Sequence, residues 1–101
     1  MDVTTSNEVE LFVILSPVGP YFLSRSINMM ADPKYVRAWP GGCGFIKMGS
    51  NYAPTISVSE IAKKFNCHQV LWLHGPEMEI TEVGAMNFYA FFNKTMEKKN
   101  W

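Results

Sequence analysis

The sequence predicts a mixed α/β (α+β) fold that is mostly sheet, with one main amphipathic helix. Short apolar runs rich in β-branched and aromatic residues recur along the chain, which is typical of strands. Residues 52–66 instead carry apolar side chains at helical spacing. Composition agrees with this fold class, because 48% of the 101 residues are hydrophobic and the formal net charge is +0, as in a single globular domain.

Two strands and a tight loop are predicted in the N-terminal half. Residues 10–15 form a continuous apolar run that ends at a Ser-Pro pair, which predicts a buried strand followed by a turn. Residues 23–33 show no periodicity and are interpreted as a connector. Residues 35–39 predict a short strand, and the glycines among residues 40–44 predict a tight loop.

The main helix is predicted over residues 52–66. Its buried face would consist of four residues spaced at i, i+3, i+4 and i+7, namely Val58, Ile61, Ala62 and Phe65. Ser50 or Asn51 is expected to cap its N-terminus, and Pro54 fits only the first turn. Asn66 suits the C-terminal end of the helix.

Three further strands follow the helix in the prediction. Residues 69–74 and 79–83 are expected to pair across a turn at residues 75–77, which contain Gly and Pro. Residues 87–92 form another apolar run and predict a further strand. A short polar tail is expected at the C-terminus, where basic residues surround Glu97: Lys94, Lys98 and Lys99.

Charge and cysteine content exclude several classes of function. Nine basic and nine acidic residues leave no basic footprint for nucleic acid. Cys43 and Cys67 form no CxxC motif and no Cys/His cluster that would bind a metal, so they are interpreted as reduced thiols of an intracellular protein. Residues 1–10 are polar and acidic, unlike a signal or transit peptide, and no membrane span is predicted. A cytoplasmic protein is therefore expected, although mitochondria remain an alternative.

Three polar residues stand out as candidates for chemistry. Lys47 lies two residues before the small Gly49-Ser50 pair and close to a predicted helix start, where free backbone N–H groups favour an anion such as a phosphate. A solvated surface lysine is the simpler interpretation. On periodicity alone, Glu82 is interpreted more simply as lying on the solvated face of a strand, and Tyr52 as a core aromatic whose hydroxyl reaches water.

Five segments taken in order resemble one enzyme family: GPYF, ADPKYVRAWPGG, KMGSNYAPT, CHQVLWLHG and TEVGAMN. Together they closely resemble the branched-chain amino acid aminotransferases, which are pyridoxal 5′-phosphate enzymes of the D-amino acid aminotransferase-like fold, or fold type IV. The resemblance covers about residues 11–92 and implies a central piece of that fold. It implies that residues 1–22 end the small domain, residues 23–33 connect the domains, and residues 34–101 begin the large cofactor-binding domain.

The resemblance also implies roles for individual residues. Lys47 matches the lysine that holds the cofactor covalently and moves a proton during the reaction, which requires a neutral amine in a partly desolvated pocket. Glu82 matches the carboxylate that keeps the pyridine nitrogen protonated. Tyr52 matches the tyrosine that hydrogen-bonds the phenolic oxygen, and Arg37 matches an arginine near the cofactor. Tyr21 matches an aromatic wall for the branched substrate side chain.

The sequence departs from the family pattern at several places. Ala85 stands where the family usually has a threonine that helps to bind the substrate carboxylate, so substrate orientation should be weaker than cofactor attachment. Gly49-Ser50 replaces the usual Gly-Gly pair, and the connector at residues 23–33 is shorter. The resemblance also implies that the family's upstream arginine and downstream loops, which bind the cofactor phosphate, fall outside this sequence.

Three functions follow as expectations. The first is transfer of the amino group of leucine, isoleucine or valine to 2-oxoglutarate, in a homodimer or in association with full-length subunits. The second is a catalytically inactive, truncated remnant that associates with full-length subunits. The third is a sister activity of the same fold, such as D-amino acid transamination or aminodeoxychorismate lyase chemistry, against which the close match around ADPKYVRAW and QVLWLHG argues.

Overall fold

A computed structural model describes residues 2–23 and 26–92 of the chain, and the predicted polar tail lies outside them. Within this described part, the regular elements are β1 (Met29–Met30), α1 (Thr55–Lys64), β2 (Gln69–His74) and β3 (Glu79–Val83). The strands form a sheet of order β1-β2-β3, in which β1 is parallel and β3 antiparallel to β2. The prediction of a mixed α/β fold with one main helix is confirmed.

The helix α1 begins later than predicted because its N-terminus is built differently. Pro54 occupies the N-cap position with φ −64° and ψ −22°, and no side chain in the described part of the chain caps the helix. The predicted cap residue Asn51 instead donates its amide to the carbonyl of Ile46 at 2.7 Å. A one-turn backbone bond, from Thr55 N–H to the Tyr52 carbonyl at 3.1 Å, leads the chain into the helix. The predicted capping by Ser50 or Asn51 is therefore wrong.

The C-terminal end of α1 is a Schellman motif around Asn66, as its sequence position predicts. Asn66 has φ +56°, in the left-handed region that asparagine tolerates. The Asn66 N–H donates to the carbonyl of Lys63 at 3.0 Å, and the Cys67 N–H donates to the carbonyl of Ala62 at 3.0 Å. Because Phe65 lies at this C-cap and not on the buried face, it is 71% exposed, contrary to the prediction.

The hydrophobic core lies between α1 and the central strand β2. Val58 and Ala62 of the helix pack against Val70 and Trp72 of β2, which confirms two of the four predicted helix core positions. Trp72 is only 1% exposed, and its Nε1–H donates to the carbonyl of Gly84 at 2.9 Å. This hydrogen bond links the core beside α1 to Gly84, the residue that follows β3.

Three predicted strands do not form in the described part of the chain, namely residues 10–15, 35–39 and 87–92. The large apolar side chains at positions 11–15 are 72–91% exposed, and no strand among residues 2–23 and 26–92 pairs with this segment. Residues 35–39 follow a turn closed by Tyr35 N–H and the Asp32 carbonyl at 3.1 Å. An apolar run becomes a strand only where another strand satisfies its backbone groups.

The strand β1 lies in the segment that was predicted to be an irregular connector. Met29 and Met30 pair with Gln69 and Val70 of β2. The pairing begins at Asn28, whose N–H donates to His68 Nδ1 at 3.0 Å and whose carbonyl accepts from His68 N–H at 2.8 Å. A two-residue strand has no periodicity that the sequence could show, so only the long-range pairing defines it.

The hairpin of β2 and β3 and the loop at residues 40–44 confirm their predictions. Gly75 and Gly41 adopt φ values of +73° and +82°, which glycine reaches without steric cost. Pairing between the strands shifts register after Trp72 and skips Thr81, a β-bulge that lies directly before Glu82. Within residues 2–23 and 26–92, no helix is long and apolar enough to cross a membrane.

Candidate functional site

A cavity of about 390 Å³ lies between the loop that contains Lys47 and the end of β3. Its lining includes Arg37, Lys47, Tyr52 and Glu82, four of the six residues that the sequence analysis singled out. A volume of this size falls within the range of small-molecule sites. The structure therefore brings an amine, a guanidinium, a phenol and a carboxylate to one concave surface.

Successive tight turns present Lys47 at the edge of this cavity. Ile46 N–H bonds the Cys43 carbonyl at 3.1 Å, and Met48 N–H bonds the Ile46 carbonyl at 2.8 Å. The Asn51 amide also donates to the Ile46 carbonyl, so this carbonyl anchors both sides of the loop. Lys47 itself is exposed, whereas the requirement for a neutral amine predicts a partly desolvated side chain.

Glu82 is held by two partners, one at each carboxylate oxygen. The Tyr52 hydroxyl donates to Oε1 at 2.9 Å, and Arg37 Nε forms an ion pair with Oε2. The Arg37 and Glu82 side chains are 14% and 17% exposed, so water screens this pair only weakly. Arg37 Cζ also lies 5.6 Å from the centre of the Tyr52 ring, within cation–π range.

The hydrogen bond to Glu82 raises the pKa of Tyr52 above its ordinary value of 10.0. Desolvation and the negative charge of Glu82 act in the same direction, whereas the positive charge of Arg37 lowers the pKa. The raised pKa extends the pH range over which the Tyr52 hydroxyl stays protonated. The hydroxyl can act there as a hydrogen-bond donor.

The raised pKa of Tyr52 predicts a stability change at alkaline pH. The folded chain holds this proton more tightly than the unfolded chain, so the contribution of Tyr52 is fully present below pH about 10 and declines as pH rises through the raised pKa. Urea unfolding of the wild type and of Tyr52→Phe across this range should show a free-energy difference that shrinks as pH increases. A difference that is independent of pH would contradict this assignment.

The remaining two predicted site residues do not line this cavity. Tyr21 is 80% exposed and lies in the N-terminal segment, which has no regular structure in its described part. Ala85 is exposed and lines a neighbouring cavity of about 480 Å³, which also includes Gly49 and Tyr52. The structure thus places Ala85 near the predicted site and leaves Tyr21 away from it.

Gly44 is a site residue that the sequence analysis did not single out individually. A Cβ at this position would overlap the Cβ of Ala38 and would lie 3.7 Å from Arg37 Nη2. The glycine therefore lets the loop approach the segment that carries Arg37. Its place in the Gly-Gly-Cys-Gly run was the available signal, but the sequence does not show which glycine makes the close contact.

Replacing Gly44 with alanine is expected to destabilise the fold by about 1–3 kcal/mol, since overpacking must displace Ala38 or the loop. Gly49→Ala is a matched control in the same loop, because a Cβ there meets no atom of the described residues within 4 Å. Urea unfolding of both variants provides the comparison. Equal stabilities of the two variants would show that Gly44 has no packing role.

Comparison with known proteins gives matches over most of the chain, although no family model matches it. The mitochondrial branched-chain-amino-acid aminotransferase of Bos taurus is 53% identical over 85 residues, which cover 81% of this chain and 22% of the relative. The cytosolic enzyme of Ovis aries is 55% identical over the same extent of both chains. The mitochondrial enzyme of Saccharomyces cerevisiae is 48% identical over 102 residues, covering 98% of this chain and 26% of the relative.

The chain spans about a quarter of the length of these curated relatives. The relatives include both cytosolic and mitochondrial forms. The matched region contains the predicted site residues that surround the cavity. With about half of its residues identical over most of its length, the chain is a homologue of one segment of the branched-chain amino acid aminotransferases.

Proposed function

We propose that the chain forms the cofactor-binding segment of a pyridoxal 5′-phosphate-dependent branched-chain aminotransferase. The reaction would transfer the amino group of leucine, isoleucine or valine to 2-oxoglutarate. The observation that carries the proposal is the convergence of Lys47, Tyr52 and Glu82 on one cavity, in a chain homologous to these aminotransferases.

The residues of the cavity fit the chemistry of this cofactor. Lys47 would supply an amine for its aldehyde and Glu82 a carboxylate for its ring nitrogen. Tyr52 would supply a donor for its phenolic oxygen once its single O–H, which donates to Glu82 Oε1 in this structure, turns towards the cofactor. When bound, the cofactor supplies an electron-accepting ring. Lys47 would hold it covalently and carry a proton, while the ionised Glu82 would keep a proton at the ring nitrogen.

The residues that would bind the substrate are inferred from the family resemblance. Tyr21 would form a wall for the branched side chain, but in this structure it lies away from the cavity. Ala85 lacks the hydroxyl that the family uses for the substrate carboxylate. We therefore expect cofactor attachment to be retained more fully than substrate orientation.

The proposal is tested by covalent labelling. The chain is incubated with pyridoxal 5′-phosphate, reduced with borohydride and digested, and the labelled lysines are identified by mass spectrometry. We expect the label at Lys47 and its loss in Lys47→Ala, with unchanged labelling in Lys64→Ala, which removes an exposed lysine at the end of α1. Equal labelling of all exposed lysines would overturn the proposal. Turnover of leucine with 2-oxoglutarate is measured in parallel, and none is expected from this chain alone.

A second candidate is an inactive fragment that associates with full-length subunits of the same family. The exposed apolar side chains at positions 11–15 favour it, because a segment of this kind is suited to pairing with another chain. Size-exclusion chromatography of the chain mixed with a full-length branched-chain aminotransferase should show co-elution. Replacement of Phe12 and Ile14 with serine should abolish co-elution.

A further inference from the structure

We propose that Arg37 is a positioning residue that holds the Glu82 carboxylate in place and acts through it, without binding the ligand itself. The inference rests on the proposed function to the extent that Glu82 serves the cofactor ring. The family resemblance places Arg37 only near the cofactor. The present inference gives this arginine a more specific role.

The contacts of Arg37 are directed at the protein. Its Nε is buried and paired with the buried Oε2 of Glu82. Its Cζ lies 5.6 Å from the ring centre of Tyr52, so a single guanidinium contacts both residues of the Tyr52–Glu82 hydrogen bond. The contacts described for Arg37 therefore both go to the two residues that it would position, one through Nε and one through the face of the guanidinium.

The position of Glu82 in β3 does not by itself fix the orientation of its carboxylate. The strand pairing is irregular directly before Glu82, where the register skips Thr81. The carboxylate is joined to this strand by flexible side-chain torsions, and its Oε1 is fixed by Tyr52 alone among the described contacts. Arg37 supplies the second anchor at Oε2, and two anchors define the plane of the carboxylate.

Two roles of Arg37 predict opposite changes at Tyr52 when Arg37 is replaced by glutamine. If Arg37 positions Glu82, its loss frees the carboxylate and weakens the hydrogen bond that raises the pKa of Tyr52, so this pKa falls towards 10.0. If Arg37 is only a nearby positive charge, its loss removes an influence that lowers the pKa of Tyr52, so this pKa rises further. The direction of the change therefore distinguishes the two roles.

The test is an alkaline titration of the ligand-free full chain, followed by NMR of carbon-13-labelled tyrosine. The Cζ resonance of Tyr52 is identified by its loss in Tyr52→Phe. We expect Arg37→Gln to lower the midpoint of Tyr52 by roughly half a pH unit or more. Glu82→Gln should also lower it, and the double variant should lower it no further than Glu82→Gln alone. A rise or an unchanged midpoint in Arg37→Gln would overturn the proposal.

Arg37→Lys keeps the charge but lacks the planar fork of the guanidinium, so its midpoint should lie between those of the wild type and Arg37→Gln. If Arg37→Gln does not fold, judged by the fluorescence of the buried Trp72, the lysine variant supplies the decisive midpoint. Labelling at Lys47 is measured separately. If the Tyr52 midpoint falls in Arg37→Gln but Lys47 is not labelled in the wild type, Arg37 keeps its positioning role and the proposed function is rejected. If Lys47 is labelled but the Tyr52 midpoint rises or stays unchanged in Arg37→Gln, only the positioning role is rejected.

Discussion

Replacing Trp72 with alanine is expected to destabilise the domain strongly. Trp72 is 1% exposed and forms the centre of the core with Val58, Ala62 and Val70. Truncation of a buried tryptophan costs about 3–5 kcal/mol, and the carbonyl of Gly84 would also lose its donor. The total stability of a chain of this size is about 5–15 kcal/mol, so a large share of it would be lost.

Circular dichroism and urea unfolding measure this effect, and two matched variants separate its causes. Trp72→Phe keeps an aromatic ring but removes the Nε1 donor, so it should cost about 1–3 kcal/mol. Trp39→Ala removes a tryptophan that is 59% exposed and should cost less than about 1 kcal/mol. If Trp72→Ala unfolds cooperatively at the wild-type urea midpoint, the description of the core is wrong.

Replacing Glu82 with glutamine is expected to damage both the fold and cofactor binding. The change keeps the size of the side chain but leaves the buried Nε of Arg37 without its anionic partner. Breaking a fully buried ion pair costs about 3–5 kcal/mol, and we expect about 2 kcal/mol because both side chains retain some exposure. The proposed cofactor would also lose a charge-assisted hydrogen bond and bind about tenfold more weakly.

Urea unfolding and equilibrium titration with pyridoxal 5′-phosphate measure the two effects separately. Glu79→Gln is the matched control, because Glu79 lies in the same strand but is exposed and does not line the cavity. Arg37→Gln combined with Glu82→Gln should be more stable than Glu82→Gln alone, since no unpaired charge remains. Strictly additive destabilisation by the two substitutions would contradict a direct interaction between these residues.

Local sequence patterns predicted the elements whose stability depends mainly on nearby residues. The helix α1 and the strands β2 and β3 carry clear periodicity and end signals, and all of them form. The apolar runs at residues 10–15 and 87–92 looked equally strand-like but remain unpaired in the described part of the chain. An apolar run shows that a segment could form a strand, but not whether a partner strand lies beside it.

The residues of the candidate site could be predicted from the sequence, but their contacts with each other could not. The family resemblance selected Lys47, Tyr52 and Glu82 as chemically important, and in the structure all three line one cavity. It placed Arg37 near the cofactor but did not identify the ion pair with Glu82. The roles of these residues towards a cofactor remain predictions, as do those of Tyr21 and Ala85 towards a substrate.

By itself, the sequence determined one amphipathic helix, a following hairpin and the set of ionisable groups available for chemistry. Only the tertiary structure decided that Tyr52 and Glu82, thirty positions apart, share a hydrogen bond, and that Arg37 meets the same carboxylate. The physical reason is that helix periodicity and turns depend on neighbouring residues, whereas these contacts depend on strand register and on the close approach of the loop at Gly44.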